Sequence, residues 1–293
     1  MKEIPVYGLK DFFNDVKSEF NEHSSNFSVF DTANAPDLLR GSNPFRNDSY
    51  CMVFIIEGGI DITIDFNTHT LEKDSVFFVT PGQVCSSVDR IQQGFGVMFQ
   101  EEFLGSTKTT NWLKSLPIFH RFHSAPFLQF KNKSFEPIIR RLELLLFEYQ
   151  GINNYKYDAI RAHLILIIIE LSRIYSLKKG EFKKKESHQI LRLESLINEQ
   201  YEQMRSVKEY AEQMYMSPQN LNRITKSITG KSVSELINEK LLIEIKRNLI
   251  YTDKSSEEIA FQLNFYDNSY FTKYFKKTVG VTPREFREVH KKV

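Results

Sequence analysis

The sequence has few cysteines, no long hydrophobic run and no signal-peptide pattern. Cys51 and Cys85 stand in unrelated contexts without metal-ligand spacing, so we expect reduced, buried thiols and no disulfide framework. The longest apolar run, residues 164–169, ends at Glu170 and is too short to cross a bilayer. Met1 is followed by polar and charged sequence, unlike a signal peptide. These absences predict a cytoplasmic protein without a membrane partner.

Net charge is also low, at +2 for 293 residues, but it is unevenly spread. From Phe271 to the end there are seven basic and two acidic residues. The chain is 41% hydrophobic and 26% charged, which is an ordinary composition for a soluble protein, and its length suits two domains. The basic end is a candidate surface for phosphate groups, and a solvated tail is the alternative.

The carboxy-terminal part contains one pattern twice. Residues 206–226 and 255–276 each predict a helix, a tight turn and a second helix, with one extra residue in the second copy's turn. A Ser precedes the first helix of each copy and is a suitable cap. The second helices begin after Ser217, with Pro218 at the first helical position, and after Asp267. Apolar residues at helical spacing predict one buried face on each second helix.

The opposite face of each second helix is polar. Amide and cationic side chains can bond base edges and phosphates, and a helix-turn-helix places such a helix in the major groove. The candidate DNA-contacting residues are Gln219, Asn220, Asn222, Arg223, Lys226, Asn268, Ser269, Thr272, Lys273, Lys276 and Lys277. We expect Lys226, Lys276 and Lys277 to contact phosphates, and most of the others to contact bases. A helical bundle with solvated polar faces is the alternative, although the repetition favours DNA.

The carboxy-terminal part resembles the AraC-type (AraC/XylS) transcription regulators. The resemblance is carried by Ser217-Pro218, Ile259-Ala260, the aromatic and lysine pattern in 265–276, and the final Gly280-Val281-Thr282-Pro283…Phe286-Arg287. It implies double-stranded DNA and RNA polymerase as partners, a homodimer, and activation of transcription. The sequence departs from the family at Asn264, where Gly is usual, but Asn also tolerates a left-handed turn conformation.

Short strands dominate the region before the helices. Apolar or alternating runs at 50–56, 60–66, 75–80 and 94–100 are separated by turn signals, which is typical of an antiparallel sandwich or barrel. Their order resembles the cupin-like sensor domain that precedes the DNA-binding domain in many AraC-type regulators. The mouth of such a barrel can hold a small organic ligand, so a small-molecule effector is a further expected partner.

The predicted fold class is α+β. An antiparallel β-barrel or sandwich (cupin-like) with added helices is expected in residues 1–176, a charged linker in 177–188, and an all-α domain with two helix-turn-helix motifs in 189–293. Residues 155–176 predict a helix that is apolar on nearly all sides and must therefore be buried on nearly all sides. We expect it to pack on the barrel and on a second subunit. Burial within one chain is the alternative.

A cupin-type metal-dependent enzyme with a helical appendage is the competing hypothesis. The resembling enzymes bind metal through a His-x-His pair and further ligands, but residues 46–57 contain no histidine, and His69, His120 and His123 lack ligand spacing. We see no Ser/His/Asp or Cys/His set at interpretable spacing. We therefore expect no enzyme activity, catalytic residue, metal or cofactor. A protein–protein adaptor would not explain why polar, cationic faces recur in both copies.

Overall fold

The computed structural model describes residues 6–9, 11, 26–32, 44–105, 112–113, 116–119, 126–179 and 184–290. The chain divides into two compact units, Pro5–Glu181 and Phe182–Val293. Within the described residues, the first unit combines an eight-stranded sheet with helices, and the second contains helices and no strand. The predicted α+β fold class is confirmed. Of the expected linker at 177–188, residues 180–183 lie outside the described ranges, and helices include the remainder.

The sheet of the first unit is built around two long strands. Its strands are β1 (Val6–Tyr7), β2 (Phe27–Asp31), β3 (Phe45–Asn47), β4 (Tyr50–Ile64), β5 (Asn67–Glu72), β6 (Ser75–Val79), β7 (Val84–Phe99) and β8 (Phe127–Gln129). Their order is β1-β3-β7-β4-β6-β8, with β2 also paired to β7 and β5 to β4. The β1–β3 pair is parallel, and the other pairs are antiparallel.

The central strand β4 bends at a bulge between Ile55 and Gly58. Before it, the odd-numbered Cys51, Val53 and Ile55 face one apolar cluster; after it, the even-numbered Ile60, Ile62 and Ile64 face that same cluster. A bulge inserts an unpaired residue and so changes which alternate side chains face a given side. Because one cluster includes residues from both halves of β4, the sheet curls around it.

The other face of the sheet packs against helices. Helix α1 spans Glu136–Gln150 and α2 spans Lys156–Lys179, and short 3-10 helices cover Glu101–Leu104, Pro117–Phe119 and Asn132–Phe135. Their apolar residues join the alternate side chains of the strands in a second core. On α2 the fully buried positions follow helical spacing: Ile160, Leu164, Ile167, Ile168 and Leu171. Leu166 on the same helix is 42% exposed.

The second unit contains seven helices in its described part. They are α3 (Lys184–Gln200), α4 (Val207–Gln213), α5 (Pro218–Thr229), α6 (Val233–Tyr251), α7 (Ser256–Gln262), α8 (Asn268–Val279) and α9 (Pro283–His290). Helix α6 connects the two repeated motifs. Leu241, Ile245 and Leu249 on α6 are buried in a core shared with α7, α8 and α9. Ile245 is fully buried there.

The strand boundaries differ from the sequence expectation. The runs at 50–56 and 60–66 form the single strand β4, because Gly58 takes a φ of 87° at the bulge and pairing continues beyond it. The turn after β4 lies at Asp65 and Phe66, with φ values of 46° and 74°, so β5 begins at Asn67. Among the described residues, no helix is long and apolar enough to span a bilayer.

Candidate nucleic-acid interface

The two repeated motifs have matching helices. Helices α4 and α7 each contain 7 residues, and α5 and α8 each contain 12. The first helices begin at 207 and 256, but the second helices begin at 218 and 268. The second turn is therefore one residue longer. We call α5 and α8 the recognition helices, since each is the second helix of its motif.

Side-chain caps define where each helix begins. Ser206 and Ser255 form capping boxes with Glu209 and Glu258, whose carboxylates accept hydrogen bonds back from the cap residues. The same four-residue pattern recurs at Ser232 of α6 and at Thr282 of α9. Hydrogen bonds from these Ser and Thr residues lower the pKa of Glu209, Glu235, Glu258 and Glu285.

The recognition helices are capped as predicted. The Ser217 hydroxyl accepts a hydrogen bond from the Asn220 N–H at 3.2 Å, and the Asp267 carboxylate accepts one from the Tyr270 N–H at 2.6 Å. Both helices end at a glycine in the left-handed conformation, Gly230 and Gly280. From its amino-terminal cap to its terminal glycine, each position of α5 therefore has its equivalent in α8 fifty residues later in the sequence.

Both turns contain a residue in the left-handed conformation. Tyr215 has a φ of 56° and Asn264 a φ of 55°, which confirms the expectation that Asn264 preserves the turn. In each case the next N–H bonds back to the buried alanine of the preceding helix. Since Met216 and Phe265 make these equivalent bonds to Ala211 and Ala260, the extra residue of the second turn is Tyr266.

Each recognition helix buries its apolar stripe. Leu221 and Ile224 are buried on α5, and Phe271 and Phe275 on α8. Nine of the eleven predicted DNA-contacting residues are exposed: Gln219, Asn220, Arg223, Lys226, Asn268, Ser269, Lys273, Lys276 and Lys277. Asn222 and Thr272, which are equivalent to one another, are half-buried. Arg223 is held by its own helix, because its Nη2 donates to Asn220 Oδ1 at 3.0 Å.

Asn222 has a structural partner at the start of the connecting helix. Its side-chain oxygen accepts a hydrogen bond from the Val233 N–H at 3.1 Å. Val233 is the first residue of α6, where N–H groups have no partner within the helix. The bond therefore ties recognition helix α5 to α6.

The basic residues near the end of the chain make different contacts. Arg284 pairs with Glu288 at 2.9 Å. Arg287 Nε donates to the Leu249 carbonyl at 2.7 Å, and its Nη2 donates to the Lys254 carbonyl, so it binds the end of α6. Lys291 and Lys292 lie outside the described residues. Lys273, Lys276 and Lys277 are exposed on α8.

A buried cluster of charged residues lies on the connecting helix. Glu244 Oε1 lies 2.7 Å from Lys240 Nζ and 2.6 Å from Arg247 Nη1. Lys240 Nζ is also 4.8 Å from the ring centroid of Tyr201, near the end of α3. Burial, with the nearby Glu244 carboxylate, raises the pKa of the Tyr201 hydroxyl. Helix α6 is roughly 28 Å long at 1.5 Å per residue, similar to one turn of duplex.

A second connection between the motifs runs through Arg205, which immediately precedes the cap of α4. Its guanidinium lies 4.8 Å from the Phe265 ring centroid, and its Nη2 donates to the Leu263 carbonyl. Leu263 and Phe265 belong to the turn of the second motif. The two motifs are therefore joined by α6 and, independently, by this arginine.

Sequence reasoning did not identify the exposed aromatic residues around the start of the second recognition helix, one in the preceding turn and one in the first turn of α8. Tyr266 is 95% exposed and Tyr270 is 57% exposed. Together with Asp267, Ser269 and Lys273 they line a shallow groove at the start of α8. The sequence alignment of the two copies showed that the second turn has an extra residue. It did not show that the aromatic rings are exposed, because apolar side chains in or beside helices usually indicate a core.

The curled sheet of the first unit encloses a cavity of about 60 Å³. Its wall is mostly apolar, with Ile62, Phe77 and Met98, and includes the polar Thr32 and Asn47. Pockets for organic ligands typically measure about 300–1,000 Å³, so side chains fill most of this interior.

Both cysteines also line the cavity and carry free thiols. Burial raises the pKa of Cys51 to about 12, so its thiol stays protonated at neutral pH. His69 is one of the histidines that were predicted not to bind a metal. Its ring centroid lies 5.6 Å from that of Phe127, and burial lowers the pKa of its imidazole. His120 and His123 lie outside the described residues.

Comparison with known proteins identifies similar regulators. Residues 210–288 match the family of helix-turn-helix domains. The Msm operon regulatory protein of Streptococcus mutans is 25% identical over 280 residues, covering 93% of this chain and 96% of that protein. The HTH-type transcriptional activator RhaS of Mannheimia succiniciproducens is 34% identical over 80 residues, covering 27% of this chain and 30% of RhaS. Unsaturated-fatty-acid-bound ToxT of Vibrio cholerae aligns with a TM-score of 0.42 at 17% identity, covering 94% of this chain and 99% of ToxT.

Proposed function

We propose, from the premise that this chain is a DNA-binding transcription regulator with an AraC-type helix-turn-helix domain, that α5 and α8 enter successive major grooves of one duplex. The observation that carries the proposal is the repeat itself. Arg223 on α5 and Lys273 on α8 occupy the same helical position and are both exposed. Successive major grooves on one side of B-DNA are about 34 Å apart, a distance that α6 and the motifs at its two ends can span.

We assign base contacts to the middle of each exposed face. On α5 these residues are Gln219, Asn220 and Arg223, and on α8 they are Asn268, Ser269, Thr272 and Lys273. Arginine and lysine pair with guanine, and asparagine and glutamine pair with adenine. Lys226, Lys276 and Lys277 lie toward the helix ends and are assigned to phosphates, which supply affinity without sequence information. We assign Asn222 to holding α5 against α6, since its oxygen bonds Val233.

The amino-terminal unit is proposed to sense an effector and to dimerise. The effector would bind within the curled sheet, where a small molecule must fit the existing cavity or displace side chains such as Met98. The dimer would form on α2, where Leu166 is 42% exposed between the half-buried Ile165 and Ile169. Sedimentation of full-length protein should show a dimer, and Leu166→Asp should shift it to monomer. A monomeric wild type would remove the dimer proposal.

The remaining parts of the proposal follow from the regulator premise. The resembling regulators suggest activation through contact with RNA polymerase, and we place the protein in the cytoplasm, where DNA is accessible to it. We propose that residues 1–176 and 189–293 act as separate domains. The protein is proposed to act by binding, with no enzymatic step and no cofactor.

The DNA-binding proposal can be tested by selecting bound duplexes. Full-length protein is incubated with genomic fragments at physiological salt, retained fragments are sequenced, and the enriched site is measured by gel shift at several salt concentrations. We expect one enriched site with two conserved blocks spaced by one helical turn. Selected fragments that share no sequence, or that share a single block, would contradict the use of both recognition helices.

A further inference from the structure

Two exposed aromatic rings flank the start of the second recognition helix, one in the preceding turn and one in the first turn of α8. Tyr266 is the residue by which the second turn is longer than the first, and 95% of it is exposed. Tyr270, 57% exposed, stands where α5 has Asn220. The corresponding corner of α5 therefore presents an amide where α8 presents aromatic surface. Exposed apolar surface next to polar residues often marks a contact site.

Tyr270 is supported by packing that extends to the core. Its ring centroid lies 6.1 Å from that of Phe265, which contacts the fully buried Phe271 edge-to-face at 5.1 Å. Arg205 covers Phe265 from the side of the first motif, at 4.8 Å. A ring positioned in this way loses little conformational freedom on binding, which favours affinity and specificity.

The charges around the rings favour the floor of a groove over the phosphate backbone. Asp267 lies between the two tyrosines in the sequence and lines the same shallow groove. Its carboxylate would repel a phosphate, whereas a surface that contacts the backbone carries cations. Lys273 lies one turn along α8 from Tyr270 and is exposed. The apolar feature of the major groove is the C5-methyl group of thymine.

We propose that Tyr266 and Tyr270 recognise thymine through its methyl group in the half-site bound by the second motif. The inference rests on the proposed function, because it requires α8 to lie in a major groove. The rings contact one or two methyl groups at the base edges while Lys273 contacts a neighbouring base or phosphate. The first motif, with Gln219 and Asn220 at the same corner, recognises bases through amide hydrogen bonds instead.

Replacing thymine with deoxyuridine tests the inference, because this change removes only the methyl group. The duplex selected by full-length wild-type protein is resynthesised with each thymine replaced singly, and the dissociation constant is measured at fixed salt. We expect about a fourfold loss of affinity at one or two positions of one half-site, the effect of one buried methyl group. Sensitive positions should lie in the block that Lys273→Ala weakens.

Variants assign the effect to the rings. Tyr270→Ser and Tyr266→Ser change exposed side chains. Each variant should bind the thymine duplex more weakly than wild type does, and replacing thymine with deoxyuridine should then cost the variant no further affinity. Tyr270→Phe retains the ring and should retain the sensitivity. Asn220→Ser, the matched change on α5, should weaken binding but leave the sensitivity unchanged.

Two results would overturn the inference while leaving the regulator proposal intact. The first is wild-type protein that binds its selected duplex equally well with thymine or deoxyuridine at every position. The second is serine variants that stay as sensitive to deoxyuridine as wild type, which would assign the rings to a protein partner instead. If wild-type protein selected no duplex, the proposed function itself would fail.

Discussion

Arg205 and Phe265 join the two helix-turn-helix motifs directly. The guanidinium of Arg205 lies 4.8 Å from the Phe265 ring centroid and donates to the adjacent Leu263 carbonyl, although sixty residues separate the two side chains. Arg205 stands before the first motif and Phe265 lies in the turn of the second. The relative orientation of the two recognition helices is therefore fixed by a side-chain contact as well as by α6.

Removing this contact should weaken binding to the complete site more than to either half. We expect Arg205→Ala to lower the free energy of unfolding by about 1–3 kcal/mol, since it removes a hydrogen bond from a charged donor and an aromatic contact. Urea unfolding and gel shifts on complete and single half-sites measure both effects. Arg192→Ala is the control, because Arg192 of α3 donates to the Gln213 carbonyl of the first motif and does not join the two motifs. Equal losses on complete and half-sites would contradict the positioning role.

The buried cluster on α6 should be sensitive to loss of its carboxylate. Glu244→Gln removes the charge shared by Lys240 and Arg247, whose side chains are only 7% and 2% exposed. We expect a destabilisation of about 3–5 kcal/mol by urea unfolding, because breaking a buried pair leaves buried charge less compensated. The control is Glu239→Gln at the more exposed Lys231–Glu239 pair, with an expected cost of less than about 1 kcal/mol. A similar small cost for both variants would argue against the cluster's role.

Acid should destabilise the helical unit through its capping boxes. The pKa of Glu209, Glu235, Glu258 and Glu285 is lowered in the folded state by hydrogen bonds from the cap residues. The unfolded state therefore binds more protons, and stability falls as pH drops from the ordinary carboxyl pKa through the lowered values. Urea midpoints measured from neutral to acidic pH should fall less steeply when all four residues are glutamine. Parallel profiles for wild type and the quadruple variant would contradict this account.

Base and phosphate contacts should respond differently to substitution. Arg223→Ala should reduce discrimination at one base step by about 1–3 kcal/mol, while Lys277→Ala should weaken all sequences evenly and reduce the salt slope by about one unit. Gel shifts on the selected duplex, a mutated duplex and random DNA at several salt concentrations separate the two effects. If both variants lost specific and non-specific binding equally, the assigned roles would be wrong.

Local signals in the sequence predicted much of the helical unit. Ser217-Pro218 and Asp267 mark helix starts, and these features act within a few residues. The Arg205–Phe265 contact could not be predicted in this way, because it depends on how two motifs pack in space. The role of Asn222 was hidden for the same reason: its partner Val233 lies on another helix.

The sheet was less predictable, since register depends on pairing between distant strands. The glycines at 58 and 59 are turn signals that predict the end of a strand. In the structure, β4 continues through a bulge and pairs with β7 on both sides of it. Short strands such as β3 carry too few residues for a period-two pattern. The aromatic surface at Tyr266 and Tyr270 has no clear signature in the sequence, because aromatic residues in or beside a helix usually belong to a core.

The central claim is that both recognition helices occupy successive major grooves of one duplex, and methylation interference at guanine N7 tests it most directly. Full-length protein is bound to its selected duplex after partial methylation, and free and bound fractions are compared. The account predicts two clusters of interfering guanines on one face of the duplex, about 10 base pairs apart, with Arg223→Ala erasing one cluster and Lys273→Ala the other. A single cluster, or two clusters that both variants leave unchanged, would contradict it.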